Sequence, residues 1–325
     1  MTDIADPVAP ARAEGDRRGF WARLATSRLY HGAADRLFAT ERRRFWLLAA
    51  LPLVWVFATH LGPVLQMARI GFLDAYPPSV GETPALTLAN FGRFFEERIY
   101  RTPFLRTFAF ATILTAMTLV IMYPVAYFLA KKLPKERQLT FLLILLIPFW
   151  VGEIVRTYAI MILLGNRGAV NIALQTLGLV ERPIPFMYTN FSLGMGVVYL
   201  TSLYMLLPLY AALEKIPPSM HEAARDLGAG PWTRFRRVTL PLSRDGLASG
   251  CTLVFLISTG YYATPVLLGG PSTTVFAETI TGFFNVAGDE WPTGAAFSTI
   301  MLVATLATAG LFLRLMGRKG GGILS

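Results

Sequence analysis

Cysteine is almost missing from this chain of 325 residues: Cys251 stands alone in an apolar stretch, and only three histidines, His31, His60 and His221, are scattered along the rest. One thiol excludes a disulfide framework, and dispersed imidazoles supply no metal-ligand cluster. Charge is scarce as well, at 15% of residues against 54% hydrophobic. That balance is too apolar for a soluble domain of this size and ordinary for a polytopic membrane protein. No G-x-x-x-x-G-K-S/T phosphate loop occurs, so ATP-driven work would need another subunit to bind the nucleotide. GxSxG and HExxH are absent too, which lowers the case for an intramembrane hydrolase. No catalytic or metal-binding residue is expected.

What is present is a set of long apolar runs. A hydrocarbon core about 30 Å thick needs about 20 helical residues to cross it. Six segments qualify: Phe45 to Met67, Phe104 to Ala130, Leu139 to Leu164, Leu193 to Leu213, Gly246 to Leu268 and Ala295 to Leu313. The first is predicted to remain as a span rather than a cleaved signal, because more than 40 residues, rich in arginine, precede it and no small-residue cleavage pattern follows. The expected fold is an all-α integral membrane protein with six transmembrane helices. Its parts are a basic arm over 1–44, a first helix and loop over 45–103, a five-helix core over 104–316 and a tail over 317–325.

Lysine and arginine set the orientation, because cytoplasmic loops retain them. Residues 1–44 carry nine, the loop from Lys131 to Gln138 four, the loop from Glu214 to Asp245 six and the tail after Leu313 three. The opposite loops hold five: Arg93, Arg98, Arg101, Arg167 and Arg182. Both termini and the 214–245 loop therefore face the cytoplasm. The net charge of +10 marks sidedness and contact with lipid headgroups, not nucleic acid. In the arm, Phe20, Trp21, Leu24, Leu29, Leu37 and Phe38 interleave with arginine, which suits either a helix on the inner leaflet or a disordered tail.

The most informative stretch is EAARDLGAGPWTRFRRVTLP, Glu222 to Pro241, in that cytoplasmic loop. Ser219 and Glu222 are spaced as a capping box, which predicts a helix starting near Met220. Gly228 can close it in the left-handed conformation, and Pro231 suits the first position of the next helix. Ala223 and Ala224 keep the first helix thin enough for another backbone to approach. Two short helices meeting at a bend make a stiff lever on which a partner can push.

The pattern of Glu222, Ala223, Ala224, Asp226, Leu227, Gly228, Val238, Leu240 and Pro241 resembles the EAA signature of permease subunits in ATP-binding-cassette (ABC) importers, with Val238 where isoleucine is commoner. From Phe104 to Leu313 the chain is similar to spermidine/putrescine importer permeases, through IPFWVGEIVRTYAI at Ile147 to Ile160, GNRGAVN at Gly165 to Asn171, the run from Leu207 to Ala229 and DEWPTGAA at Asp289 to Ala296. The resemblance implies a type I ABC importer permease fold in a bacterial inner membrane. It also implies a second homologous permease subunit, two ATPase subunits that hold the ATP and Mg, and a periplasmic solute-binding protein. ATP would move the loop, and the core would rock between inward-open and outward-open states. Opine and aminophosphonate permeases are similar enough to leave the cargo open between polyamines and other small amines. An ion-driven secondary transporter would require inverted repeats, which are not visible.

Ionisable groups at membrane depth are candidates for the translocation path. Glu153 and Arg156 lie three residues apart, on one helix face, where they can pair with each other or serve an amine substrate. Trp150, Tyr261 and Tyr262 are candidates for cation–π contact along the path. Asp289 and Glu290, with Glu278, make the loop before the last span purely acidic. The Phe72–Pro103 loop and the Gly165–Ser192 loop, whose Ala169 to Val180 run reads as a short helix, can dock a binding protein or dip toward the pore. Prolines inside the spans, at Pro52, Pro63, Pro124, Pro148, Pro208 and Pro265, each remove a helix hydrogen bond.

Overall fold

The computed structural model describes residues 40–78, 81, 83–285 and 290–317. The arm through Ala39, Asp289 and the tail beyond Gly317 lie outside the described residues. By compactness the chain divides at Gln66 and Met67. Among the described residues the regular structure is helical, apart from one isolated antiparallel bridge between Leu73 and Leu86.

The first span runs from α1 (Glu41–Val56) through a π segment (Phe57–Leu61) into α2 (Gly62–Gly71). Its side chains lie open, as in Leu48, Leu51 and Trp55, which suits a helix bathed in lipid. A short helix, α3 (Ala89–Glu96), precedes the second span, α4 (Arg98–Tyr127), which widens into a π segment at Phe128–Lys132. Both π segments follow a proline, Pro52 or Pro124, which deletes a donor from the i to i−4 ladder and loosens it locally.

The third span is not the continuous helix expected over Leu139 to Leu164. Helix α5 (Lys135–Leu146) gives way to a 3₁₀ turn at Ile147–Trp150, and α6 (Glu153–Leu164) starts after an extended Gly152, with φ −57° and ψ 151°. Pro148 has no N–H to continue the ladder, and Gly152 leaves the helical region at little steric cost. The length able to cross a membrane is instead Glu153–Thr176, which includes α7 (Ala169–Thr176). That short helix stands in the Ala169 to Val180 run, as the sequence suggests.

The core is organised around α8 (Asn190–Glu214). It is apolar all round, with Leu200, Met205, Leu209 and Leu213 fully buried, as suits a helix surrounded by others. Helices α4 and α12 (Arg244–Gly260) pack on α8 and on each other, and α15 (Trp291–Gly317) packs on α12. Lipid tails are as apolar as leucine, so close approach and polar ties must hold membrane helices together. Gly246 and Gly250 allow that approach. A Cβ at Gly250 would lie 2.9 Å from the Met205 sulfur, and one at Gly246 would meet the Pro208 carbonyl. Among the polar ties, Thr118 and Thr201 bridge α4 and α8 at 3.4 Å, and Tyr210 donates to Gln138 at 2.9 Å.

The fifth span also stops short of its expected end at Leu268. Helix α12 ends at Gly260, Tyr261 is extended, and α13 (Ala263–Leu268) is a separate piece. Pro265 would clash with the carbonyl of Tyr261 were the helix to continue. Helix α14 (Phe276–Asn285) then leads toward α15. Among the described residues five helices are long and apolar enough to cross a membrane, and six if the bent pair Pro231–Leu242 with Arg244–Gly260 is one span.

Candidate functional site

The loop between α8 and α12 holds α9 (Pro218–Asp226), α10 (Pro231–Arg234), a π segment (Phe235–Thr239) and α11 (Leu240–Leu242). The expected capping box does not form. Helix α9 starts at Pro218, two residues before Met220, with Pro217 at the N-cap and no side-chain cap bond. Pro218 has its φ preset for the first helical position and needs no donor there, which places Ser219 inside the helix. The other end is as predicted. Gly228 has φ 79°, its N–H donates to the Arg225 carbonyl at 2.8 Å, and the Ala229 N–H donates to Ala224 at 2.9 Å. These two bonds make a Schellman closure. Gly230 and Pro231 start α10 as expected. The Pro231–Leu242 piece then meets α12 at a 66° bend.

Burial divides the motif in two. Glu222, Ala223, Asp226, Leu227 and Gly228 are exposed, Leu227 at 88%, while Ala224, Val238 and Leu240 are half-buried and Pro241 is open. The exposed half is a polar ridge with an apolar tip. The other half is anchored to the end of α4. Phe235 packs edge-on against Tyr123 at 5.5 Å and stacks on Trp232 at 5.5 Å. Tyr123 Oη and Ser243 Oγ are 2.8 Å apart, and Lys131 Nζ donates to the Ile216 carbonyl. Ile216, Phe235 and Ser243 are the two roots and the middle of the loop, so the loop is tied to α4 at three points. Sequence reasoning missed Tyr123, Lys131, Phe235 and Ser243; the available signal was an aromatic residue set among basic ones in RFRR. His221 titrates below its ordinary range, first because it is partly buried and then because Lys131 and Arg234 are near.

Of the membrane-depth candidates, Glu153 and Arg156 both stand near Tyr261. Glu153 does not pair with Arg156. Its carboxylate, in the first turn of α6 where the helix dipole favours negative charge, accepts from the Thr264 hydroxyl at 3.1 Å. Thr157 and Thr264 lie 3.3 Å apart in the same α6–α13 contact. Arg156 turns the other way: its guanidinium sits 4.4 Å over the Phe149 ring, and its Nε and Nη1 are buried without a hydrogen-bond partner among the described residues. Sharing a helix face does not bring two side chains together when each finds a nearer partner. Trp150 is 90% exposed, whereas Tyr261 is buried against Leu114, Leu193 and Val197, and Tyr262 is half-open. Glu290 is neutralised by Arg93 of α3 at 3.0 Å, so the loop's charge is not left purely acidic. Arg93 also donates to Thr293, and Asn90 donates to the carbonyls of Gly71 and Leu73.

With this geometry in place, residues 138–319 match the family of binding-protein-dependent transport system inner membrane components. The chain belongs to that family. It is a multi-pass permease component of an ABC importer in the inner membrane. Two spermidine/putrescine transport system permease proteins, both called PotB, are similar over most of their length. The one from Haemophilus influenzae is 32% identical over 84% of this chain and 95% of its own. The one from Escherichia coli is 35% identical over 82% and 96%. A solved bacterial ABC transporter involved in import of the acidic polysaccharide alginate has the same fold, with a TM-score of 0.66 at 17% identity, covering 88% of this chain and 99% of that one.

Proposed function

We propose that this permease moves a small amine of the polyamine type from periplasm to cytoplasm, driven by ATP hydrolysed on separate subunits. The observation that supports the energy route is the loop itself. It has an exposed, Schellman-closed helix whose roots are tied to both α4 and α12. A polar ridge with an apolar tip at Leu227 has the shape and chemistry for seating in a groove of an ATPase. Glu222, Ala223, Asp226, Leu227 and Gly228 make that contact; Val238, Leu240 and Pro241 hold the loop at its angle to the membrane. ATP and Mg belong to the two ATPase subunits. A second permease subunit completes the pore, and a periplasmic solute-binding protein delivers the cargo.

The amine assignment rests on the similarity to proteins named as spermidine/putrescine permeases. It is supported by a carboxylate, Glu153, held by Thr264 at the end of a broken helix. The test is uptake by proteoliposomes holding the assembled importer, with the binding protein and ATP supplied. Labelled polyamine should accumulate, and Glu222→Lys or Gly228→Val should abolish accumulation while the chain still inserts. Wild-type uptake by both variants would overturn the coupling role. Uptake of an opine or aminophosphonate in preference to polyamine would overturn the substrate class.

A further inference from the structure

Between the elbow that follows α4 and the coupling loop lies a cavity of about 880 Å³. That is the size of a small-molecule site. The elbow contributes Lys131, Lys132 and Lys135 to its lining, and the loop contributes Arg225 and Arg234. Only two carboxylates, Glu214 and Glu222, also line it. The excess positive charge is therefore gathered in a concave place, where low-dielectric walls strengthen it.

His221 Nε2, Arg234 Nε and Thr239 Oγ1 in its walls are closed off from water. A ligand in the cavity therefore meets the cations, none of which is in an ion pair among the described residues. Neighbouring groups are already committed. Gln138 accepts from Tyr210 and donates to the Leu133 carbonyl, and Lys131 uses one of its three N–H donors on Ile216.

We propose that this cavity binds a phosphate-group anion. Phosphoryl oxygens accept from guanidinium, ammonium and hydroxyl groups together, and arginine with lysine is the usual pairing for them. The anion is either a free phosphate compound of the cytoplasm or the headgroup of an anionic inner-leaflet lipid. In both cases it bridges Lys131 and Lys132 at the end of α4 to Arg225 and Arg234 of the loop. It therefore stiffens the element through which energy enters. Binding itself does not depend on the proposed coupling role or on the cargo.

The experiment uses the full chain in nanodiscs. In discs of phosphatidylcholine alone, saturable binding of radiolabelled inorganic phosphate supports the free anion as the source. Selective retention of phosphatidylglycerol from mixed discs, without phosphate binding, supports the lipid. Arg234→Gln should weaken whichever ligand binds about tenfold, the scale of one lost charge-assisted hydrogen bond. Lys132→Gln, at an exposed side chain of the lining, should weaken it several-fold, and it decides the matter if Arg234→Gln fails to insert. Absence of both ligands from the wild-type chain, or wild-type binding by Lys132→Gln, overturns the proposal.

Discussion

The coupling loop and the α8–α12 seam are built on opposite terms. In the loop, helix ends and bends are made by backbone-specific residues, Pro218, Gly228 and Pro231, and large apolar side chains such as Leu227 and Trp232 stay exposed. In the seam, glycine serves by having no side chain, and α8 buries most of its apolar residues, Leu200, Met205 and Leu209 among them. The same residue type therefore has two meanings. Gly228 is needed for its dihedral, since a Cβ there would meet nothing within 4 Å, whereas Gly246 and Gly250 are needed for space. One region exposes its large side chains and the other buries them to hold the permease together.

That contrast can be broken at either end, and the largest effect should come from the seam. Gly246→Leu forces a side chain into the Pro208 backbone. Overpacking of this kind costs about 1–3 kcal/mol or more. The amount of chain in the membrane should fall steeply, as quantitative immunoblotting would show, and normal levels would mean that α8 and α12 do not touch there. Gly228→Val should act differently. The left-handed backbone costs a branched residue about 1–2 kcal/mol, and the strain stays local, so uptake should be lost while membrane levels stay near wild type.

Smaller changes sharpen the boundary between the two regions. Tyr123→Phe removes the bond to Ser243, worth about 1 kcal/mol. It should lower the yield of uptake per ATP hydrolysed by a few-fold with little change in melting temperature. A pH series should also separate loop from seam. Because His221 has its pKa held below the ordinary value, the folded loop binds fewer protons than the unfolded one just below that value. Loop stability should therefore fall on acidification. Protease cleavage near α9 should rise as the medium is acidified through and below the ordinary histidine range, and His221→Asn should flatten the response. The smallest effect belongs to Glu290→Gln. It breaks a half-exposed ion pair with Arg93, an interaction worth about 0–1 kcal/mol, so the melting temperature should barely move.

Legibility followed the same division. Gly228, Pro231 and four of the six spans could be read directly, because a positive φ, a preset φ and a run of apolar residues are local properties. The capping box was misplaced because Pro218 starts the helix before Ser219 can cap it. The pairing of Glu153 with Arg156 failed because Thr264 and Phe149, 111 and 7 residues away in sequence from them, are the nearer partners. The third span was drawn as continuous because hydropathy does not register the extended backbone at Gly152.

By itself the sequence determined that the chain crosses the membrane, that its basic residues gather in particular loops, and that a helix–turn–helix with the EAA pattern stands in one of them. Those properties depend on composition, charge placement and local backbone preference. The tertiary structure alone decided which half of the motif is exposed, that Tyr123 and Lys131 moor the loop to α4, and that five cations share one cavity. Apolar helices look alike along their length, and only packing against particular neighbours distinguishes a face that touches lipid from one that touches protein.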